Sequence, residues 1–214
     1  MLRHLRDLHY LARYGEAAPQ SYERLFVDPR QIKRSYAKHK PGVPKLSRRH
    51  SGLILDGDWD LATRKLKKSP KIRACRKHFR KGLSWEETGV YDMMRRMIER
   101  RGSFDSCRTP EDVERRYQEI DALYDAIRAE GRFRSFAKRR LGVTREKGGV
   151  FVHLTRSGEP IFGMIGNHRM AIAQILKFDM IPVQLGVVHK QAFDSGAFAT
   201  VRARSRAYAA EHGL

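Results

Sequence analysis

The sequence contains few cysteines and no long apolar run. Its only two cysteines, Cys75 and Cys107, have no Cys or His neighbour at metal-ligand spacing, so the sequence predicts neither a disulfide framework nor a zinc site. No run approaches the roughly 18 apolar residues of a membrane span, and charges interrupt residues 1–14, where a signal peptide would be continuously apolar. We therefore expect a cytoplasmic protein without a membrane partner.

Acidic residues are also scarce. The 214 residues include 44 Lys and Arg but only 24 Asp and Glu, which gives a formal net charge of +20. A positive field of this size attracts polyanions. Because 41% of the residues are hydrophobic, the chain has enough apolar surface to fold and is not a disordered basic tail. We expect one domain, spanning residues 1–214.

Two segments contain no acid at all. Residues 30–49 carry eight Lys or Arg, and residues 64–81 carry ten. Such blocks either lie on a solvated surface or line a groove for the phosphates of DNA or RNA. Few aromatic residues lie near them, so the pattern favours backbone contacts over base stacking. The candidate nucleic-acid contacts are Arg48, Arg49, Lys67, Lys68, Arg76 and Lys77.

Apolar spacing predicts the elements of the first two thirds of the chain. Leu2, Leu5 and Leu8 fall on one helical face within residues 1–14. A strand is predicted over 22–27 and a brief one over 51–55, whereas prolines make the first basic block irregular. The Ser84/Glu87 pair has capping-box spacing and predicts a helix that begins there, and a second helix is predicted from Thr109-Pro110 to near Gly131.

The pattern changes to that of strands after residue 149. Strands are predicted over 150–154 and 161–162, joined by a turn, and again over 181–188, with a helix over 170–178 between the last two. A basic helix is predicted to close the chain over 195–212.

The sharpest local feature is the run Gly166-Asn167-His168-Arg169, which we call the box. It lies between a predicted hairpin and a predicted helix. Backbone N–H groups and the positive end of the helix dipole point out of such a start, and an Arg can bind phosphate with two hydrogen bonds. The alternative is that Asn167 only caps the helix after a glycine turn.

The box and its surroundings resemble the core of the ParB/sulfiredoxin superfamily. The resemblance rests on residues 150–153 (VFVH), 158–162 (GEPIF), 166–173 (GNHRMAIA) and 181–183 (IPV). It implies an α+β fold with a small mixed sheet built from residues 20–60 and 145–190, a large helical insertion over 60–140 and an N-terminal helix. In that family the box binds nucleotide phosphates, so the resemblance implies that Gly166, Asn167, His168 and Arg169 surround a phosphate.

Differences between this sequence and the family's pattern limit the activities that the resemblance implies. Asn167 occupies the position of the catalytic cysteine of sulfiredoxins, so the resemblance does not extend to their reductase chemistry. It also occupies the position where partition proteins that use CTP usually have Glu. Neither their other nucleotide motif nor a helix-turn-helix motif is recognised in the roughly 25 residues that follow the core. Free-serine kinases of the superfamily use a similar box. A phosphotransferase or phosphoesterase that uses ATP, ADP or CTP with Mg²⁺ therefore stays open.

Phosphotransfer requires a base and carboxylates that hold a metal, which the box lacks. The best candidates are the alternating acids Asp56, Asp58 and Asp60, because such a loop can present carboxylates to Mg²⁺ and one of them can accept a proton. The alternative is a solvated turn or a set of counter-ions for neighbouring Lys and Arg. The sequence thus predicts a protein that binds a nucleotide or another phosphate-bearing ligand, with a non-catalytic nucleic-acid-binding module as the competing hypothesis.

Overall fold

The computed structural model describes residues 2–135, 146 and 148–214. These residues form an α+β fold with seven α-helices and a seven-stranded mixed sheet, as the sequence predicts. They divide into two compact units. The first unit comprises Met1–Leu66, Arg134–Gly166 and Phe178–Leu214, and the second comprises Lys67–Phe133 and Asn167–Lys177. None of the described helices combines the length and the apolar character needed to cross a membrane.

The first unit contains the whole sheet. Its strands are β1 (Arg24–Val27), β2 (Arg34–Tyr36), β3 (Ile54–Leu55), β4 (Thr63–Lys65), β5 (Val150–Leu154), β6 (Pro160–Phe162) and β7 (Ile181–His189). The order is β1-β7-β5-β6-β2-β4, and β3 pairs with the end of β7. The central strands β5 and β7 are parallel and buried along their full length, which explains why most of their residues are apolar.

Two strands lie where the sequence predicts none. β2 falls in the first basic block, and β4 falls at the start of the predicted helical insertion. They pair with each other in antiparallel register, and Ser35 of β2 pairs with Phe162 of β6. Three-residue strands have too few side chains to show an alternating pattern, so only their pairing in the folded chain defines them. The cations on edge strand β4 also disfavour pairing with another chain.

His153 lies at the centre of the sheet and is fully buried. A Cβ added at Gly186 would lie 2.5 Å from its Nδ1, and one added at Gly163 would lie 3.1 Å from its Nε2 and 2.5 Å from Cδ1 of Phe151. Both glycines are therefore required by packing. The Nδ1 atom accepts a hydrogen bond from the backbone N–H of Val187, at 3.0 Å. His153 is thus a structural residue of the core.

Three helices complete the first unit: α1 (Leu2–Tyr14), α6 (Lys190–Asp194) and α7 (Ala197–Glu211). The helix α7 matches the predicted closing helix and is tied to β1, since Ser205 accepts a hydrogen bond from the backbone N–H of Phe26 at 2.8 Å. Helix α1 is attached through its polar side, where Asp7 accepts a hydrogen bond from the Ser21 hydroxyl at 2.8 Å. Its predicted apolar face is exposed at Leu5 and Leu8.

The second unit is helical. It contains α2 (Pro70–Lys81), α3 (Val90–Arg101), α4 (Pro110–Glu130) and α5 (Asn167–Ile175). Helix α4 confirms the prediction, because Thr109 caps it through the backbone N–H of Asp112 and Gly131 ends it in the left-handed conformation. The predicted start at Ser84 is wrong. The Ser84/Glu87 hydrogen bonds form, but the chain then turns through Gly89, at φ 78°, and α3 begins at Val90.

Candidate functional site

The three candidate catalytic acids lie in the first unit, around a short turn after β3. Asp60 is buried and accepts hydrogen bonds from the backbone N–H, Nε and a terminal nitrogen of Arg156, at 3.0, 3.0 and 2.8 Å. Asp58 is exposed and accepts from the same guanidinium at 2.7 Å. Asp56 is exposed and accepts a hydrogen bond from the backbone N–H of Gly57. Two of the acids are therefore counter-ions of one arginine.

Arg156 keeps Asp60 ionised. Burial by itself raises the pKa of this carboxyl, but the hydrogen bonds and charge of Arg156 outweigh burial and hold the pKa below its usual value. His189 lies beside the pair and donates through Nε2 to the carbonyl of Gly57, at 2.8 Å, because its Nδ1 accepts from Gln191. Across the described ranges, no group of three or more His, Cys, Asp or Glu is arranged to hold a metal ion.

The candidate nucleic-acid contacts differ in their availability. Arg48 is half-buried and donates to the carbonyl of Gly149 at 3.3 Å, and Arg76 donates to Gln174 at 2.9 Å. These two side chains stabilise the fold of their own units. The others are exposed or half-exposed: Arg49, Lys67, Lys68 and Lys77.

Helix α2 carries a cationic stripe that the sequence reasoning missed. Arg73, Lys77 and Arg80 are spaced by four and three residues and so lie on one helical face, where Arg73 and Arg80 are exposed. None of the three forms an ion pair with another residue in the described part of the chain. Helical spacing within the second basic block was the signal that could have identified the stripe, once α2 was recognised.

The first residue of the box belongs to the first unit, and its other three residues belong to the second. Gly166, the last residue of its segment of the first unit, has φ +84°, and a Cβ there would lie 3.0 Å from the Cα of Val150. Only glycine fits that approach to β5 without displacing backbone. The position therefore requires glycine for packing.

Helix α5 begins at Asn167, so the remaining box residues form its first turn. His168 and Arg169 are only 7% and 8% exposed, and this turn contains no acid. The guanidinium of Arg169 lies 4.4 Å above the ring of Phe133 and is held by a cation–π contact. Burial and the charges of Lys71 and Arg116 lower the pKa of His168 to about 3 although Asp105 acts in the opposite sense, so His168 is neutral near pH 7.

Four further residues surround His168, and sequence reasoning singled out none of them. Lys71 of α2 pairs with Asp105 at 2.6 Å, and Nε of Arg116 on α4 lies 3.9 Å from the same carboxylate. The ring of Tyr117 contacts the His168 ring edge-on, at 5.6 Å between centroids. We call Lys71, Asp105, Arg116, Tyr117 and His168 the buried polar cluster. Its members come from four separate segments, so no local spacing could reveal it.

Comparisons with protein-family models, curated proteins and solved structures find no match to this chain. The family resemblance therefore stays a prediction from the sequence.

Proposed function

We propose that the protein binds a phosphate-bearing small molecule, of which ATP, ADP and CTP are the first candidates, at the first turn of α5. The observation that carries this proposal is the burial of two basic side chains, His168 and Arg169, in a helical first turn without any acid. The resemblance of the box to the phosphate-binding segment of the ParB/sulfiredoxin superfamily supports the same interpretation.

Electrostatics explain why this arrangement favours an anion. The N-terminus of a helix carries about half a positive elementary charge, so a cation there is unfavourable by about 0.3–1 kcal/mol. Burial of a guanidinium adds a desolvation cost. An anion at the same place is stabilised by the backbone N–H groups, the helix dipole and Arg169 together. A phosphate at the start of α5 would therefore interact favourably with both the helix dipole and Arg169.

We propose binding alone, because phosphotransfer or phosphoester hydrolysis would need a base and carboxylates that hold a metal. Arg156 already engages Asp60 and Asp58, which explains their presence without a reaction. Fold resemblance alone does not establish catalysis. If a phosphotransferase or phosphoesterase activity is found, Asp58→Asn separates a role in the reaction from a role in binding, because the amide preserves the shape of the side chain and removes its charge.

The test compares Arg169→Ala with the wild type. Melting temperatures are measured with ATP, ADP, CTP and GTP, with and without Mg²⁺, because a ligand that binds only the folded state raises the melting temperature. We expect Arg169→Ala to weaken binding about 10- to 150-fold, equivalent to about 1.5–3 kcal/mol for a charge-assisted hydrogen bond. Arg128→Ala, which removes an exposed charge from α4, is the matched control.

Two results would contradict the proposal. The first is a wild-type protein that no phosphate compound stabilises. The second is an Arg169→Ala protein that folds and binds as tightly as the Arg128→Ala control. An Arg169→Lys variant separates charge from geometry, because it retains the positive charge and loses the planar pair of donors.

The stripe on α2 favours the alternative function, binding to nucleic acid. Arg73 and Arg80 are exposed and Lys77 is half-exposed, and none of the three has a partner carboxylate among the described residues, so they are available for phosphate-backbone contacts. A short DNA duplex and an RNA are therefore included in the melting experiment. If these polymers raise the melting temperature and no nucleotide does, nucleic-acid binding is favoured over the small-molecule site.

A further inference from the structure

The buried polar cluster has more hydrogen-bonding capacity than its own residues satisfy. Tyr117 is fully buried, and Lys71 and His168 are 9% and 7% exposed. Within the residues that the structure describes, the Tyr117 hydroxyl, Nε2 of His168 and Nε of Arg116 have no hydrogen-bond partner, and neither has Oδ2 of Asp105, which forms the ion pair with Lys71. Buried polar groups in folded proteins are nearly always paired with protein, water or ligand. Four buried atoms without a hydrogen bond in one cluster therefore indicate a missing partner.

The charges of the cluster show what kind of partner fits. Lys71 and Arg116 supply two positive charges, Asp105 supplies one negative charge, and His168 is neutral. Arg116 is half-exposed and also pairs with the exposed carboxylate of Glu119 at 3.4 Å, so its charge is compensated at the surface. The buried ammonium group of Lys71 faces Asp105, the one carboxylate that belongs to the cluster. A ligand with a negative charge can accept from the unpaired donors of the cluster, whereas a cation or a neutral apolar group leaves them without an acceptor.

The hydrogen-bonding groups also favour an anion with several oxygens. Lys71 and Arg116 can only donate, and burial raises the pKa of Tyr117, so its hydroxyl stays protonated and donates as well. Phosphate accepts hydrogen bonds on several oxygens in different directions, so donors from α2 and α4 can reach it together. A carboxylate has two acceptor oxygens and matches fewer of these donors.

The turn that carries Asp105 fixes the arrangement. Phe104 and Cys107 exchange backbone hydrogen bonds at 2.9 and 3.0 Å, which closes a tight turn through Asp105 and Ser106. Asp105 is thereby held against Lys71. We interpret Asp105 as a positioning residue, since a carboxylate repels phosphate but orients the ammonium group that binds it.

We infer that Lys71, Arg116 and Tyr117, together with His168, form the inner wall of the phosphate site and bind the phosphate group of the ligand. This inference rests on the proposed function, because His168 belongs to both the box and the cluster. It adds three binding residues from the helical unit that neither the box nor the family resemblance supplies.

Tyr117→Phe tests the inference with one atom changed. The melting temperature is measured against increasing inorganic phosphate, with sulfate and chloride at equal ionic strength for comparison. We expect phosphate to bind about tenfold or more weakly, as for the loss of one hydrogen bond to a charged group. The melting temperature without phosphate should stay the same or rise, because the variant removes an unpaired buried hydroxyl.

The matched control is Tyr124→Phe, which removes a hydroxyl two turns further along α4, where the Tyr124 ring stacks on Phe79. Its phosphate affinity should equal that of the wild type. Arg116→Gln is the second variant, because its half-exposed side chain tolerates replacement, and it should also weaken binding. This variant keeps the inference testable even if Tyr117→Phe fails to fold.

The outcomes separate the inference from the proposed function. If Arg169→Ala weakens phosphate binding but Tyr117→Phe and Arg116→Gln do not, the phosphate site stands and the inner wall is wrong. The same conclusion follows if Tyr117→Phe changes only the melting temperature, because the hydroxyl then binds water alone. If the wild type binds no phosphate compound, the proposed function fails and the inference fails with it.

Discussion

The buried His153 makes the stability of the protein depend on pH. Burial, with a smaller contribution from the charge of His50, lowers its pKa from 6.5 to about 3. The hydrogen bond from Val187 fixes the tautomer, since Nδ1 accepts and the single proton of the neutral ring must lie on Nε2. Protonation of Nδ1 would break that hydrogen bond in a fully buried site. The folded protein therefore keeps His153 neutral under mildly acidic conditions.

The sign and size of the effect follow from linkage. Below pH 6.5 the unfolded chain takes up a proton on this residue and the folded protein does not, so the stabilisation is complete above that pH and is lost as the pH falls towards about 3. The slope is about 1.4 kcal/mol for each pH unit. From about pH 7.5 to about pH 5, His153 alone should lower the free energy of unfolding by about 2 kcal/mol.

The assay is urea denaturation of wild type and His153→Asn at both pH values. The Asn amide oxygen can accept the Val187 hydrogen bond and does not titrate. The variant should be less stable near neutral pH by about 1–3 kcal/mol through lost packing, but its loss of stability on acidification should be about 2 kcal/mol smaller. His9→Asn, an exposed position on α1, is the control. Equal pH dependence in the wild type and His153→Asn would refute the reasoning.

Two other predictions concern the sheet and the cationic stripe. Gly186→Ala should lower the free energy of unfolding by about 1–3 kcal/mol in urea denaturation, because its Cβ would lie 2.5 Å from Nδ1 of His153 and 2.6 Å from a backbone oxygen of the paired strand; a loss below about 0.5 kcal/mol would contradict that packing. If the protein binds duplex DNA, replacing Arg73, Lys77 and Arg80 with Gln should reduce the slope of log affinity against log salt by up to about three. The control neutralises exposed arginines outside the stripe, Arg96 and Arg100 of α3 and Arg128 of α4, and should leave the slope nearly unchanged.

Local signals predicted the parts of the fold that local interactions determine. Helix α4 has its cap, its proline and its terminal glycine within its own sequence, and its predicted ends agree with the structure. Strands β5 and β7 are long and apolar enough to be recognised without their partners. By contrast, β2 and β4 exist only because they pair, and the Ser84 capping pair forms in a turn because Gly89 redirects the chain. Tertiary context decided each of these cases.

The candidate site residues also include some that the sequence reveals and some that only the folded chain brings together. The box could be read from the sequence because its four residues are consecutive. The partner of Asp60 could not, since Arg156 is 96 positions away and sequence spacing carries no information about that pair. The buried polar cluster needs α2, the turn after α3, α4 and α5 to be folded together. No single residue of the cluster stands out in the sequence, because the chain contains many other Lys, Asp and Tyr residues.

Burial distinguishes the two candidate functions physically. A duplex presents its phosphates on a broad rigid surface, so its protein contacts must be exposed side chains such as Arg73 and Arg80. His168, Arg169, Lys71 and Tyr117 are each less than one-tenth exposed, and a duplex backbone cannot reach such groups. A terminal phosphate of a small molecule can be enclosed by them, where the lower effective dielectric strengthens every hydrogen bond that it accepts. The two functions therefore require different residues of the helical unit, and Tyr117→Phe should affect nucleotide binding without changing any salt-dependent binding of DNA.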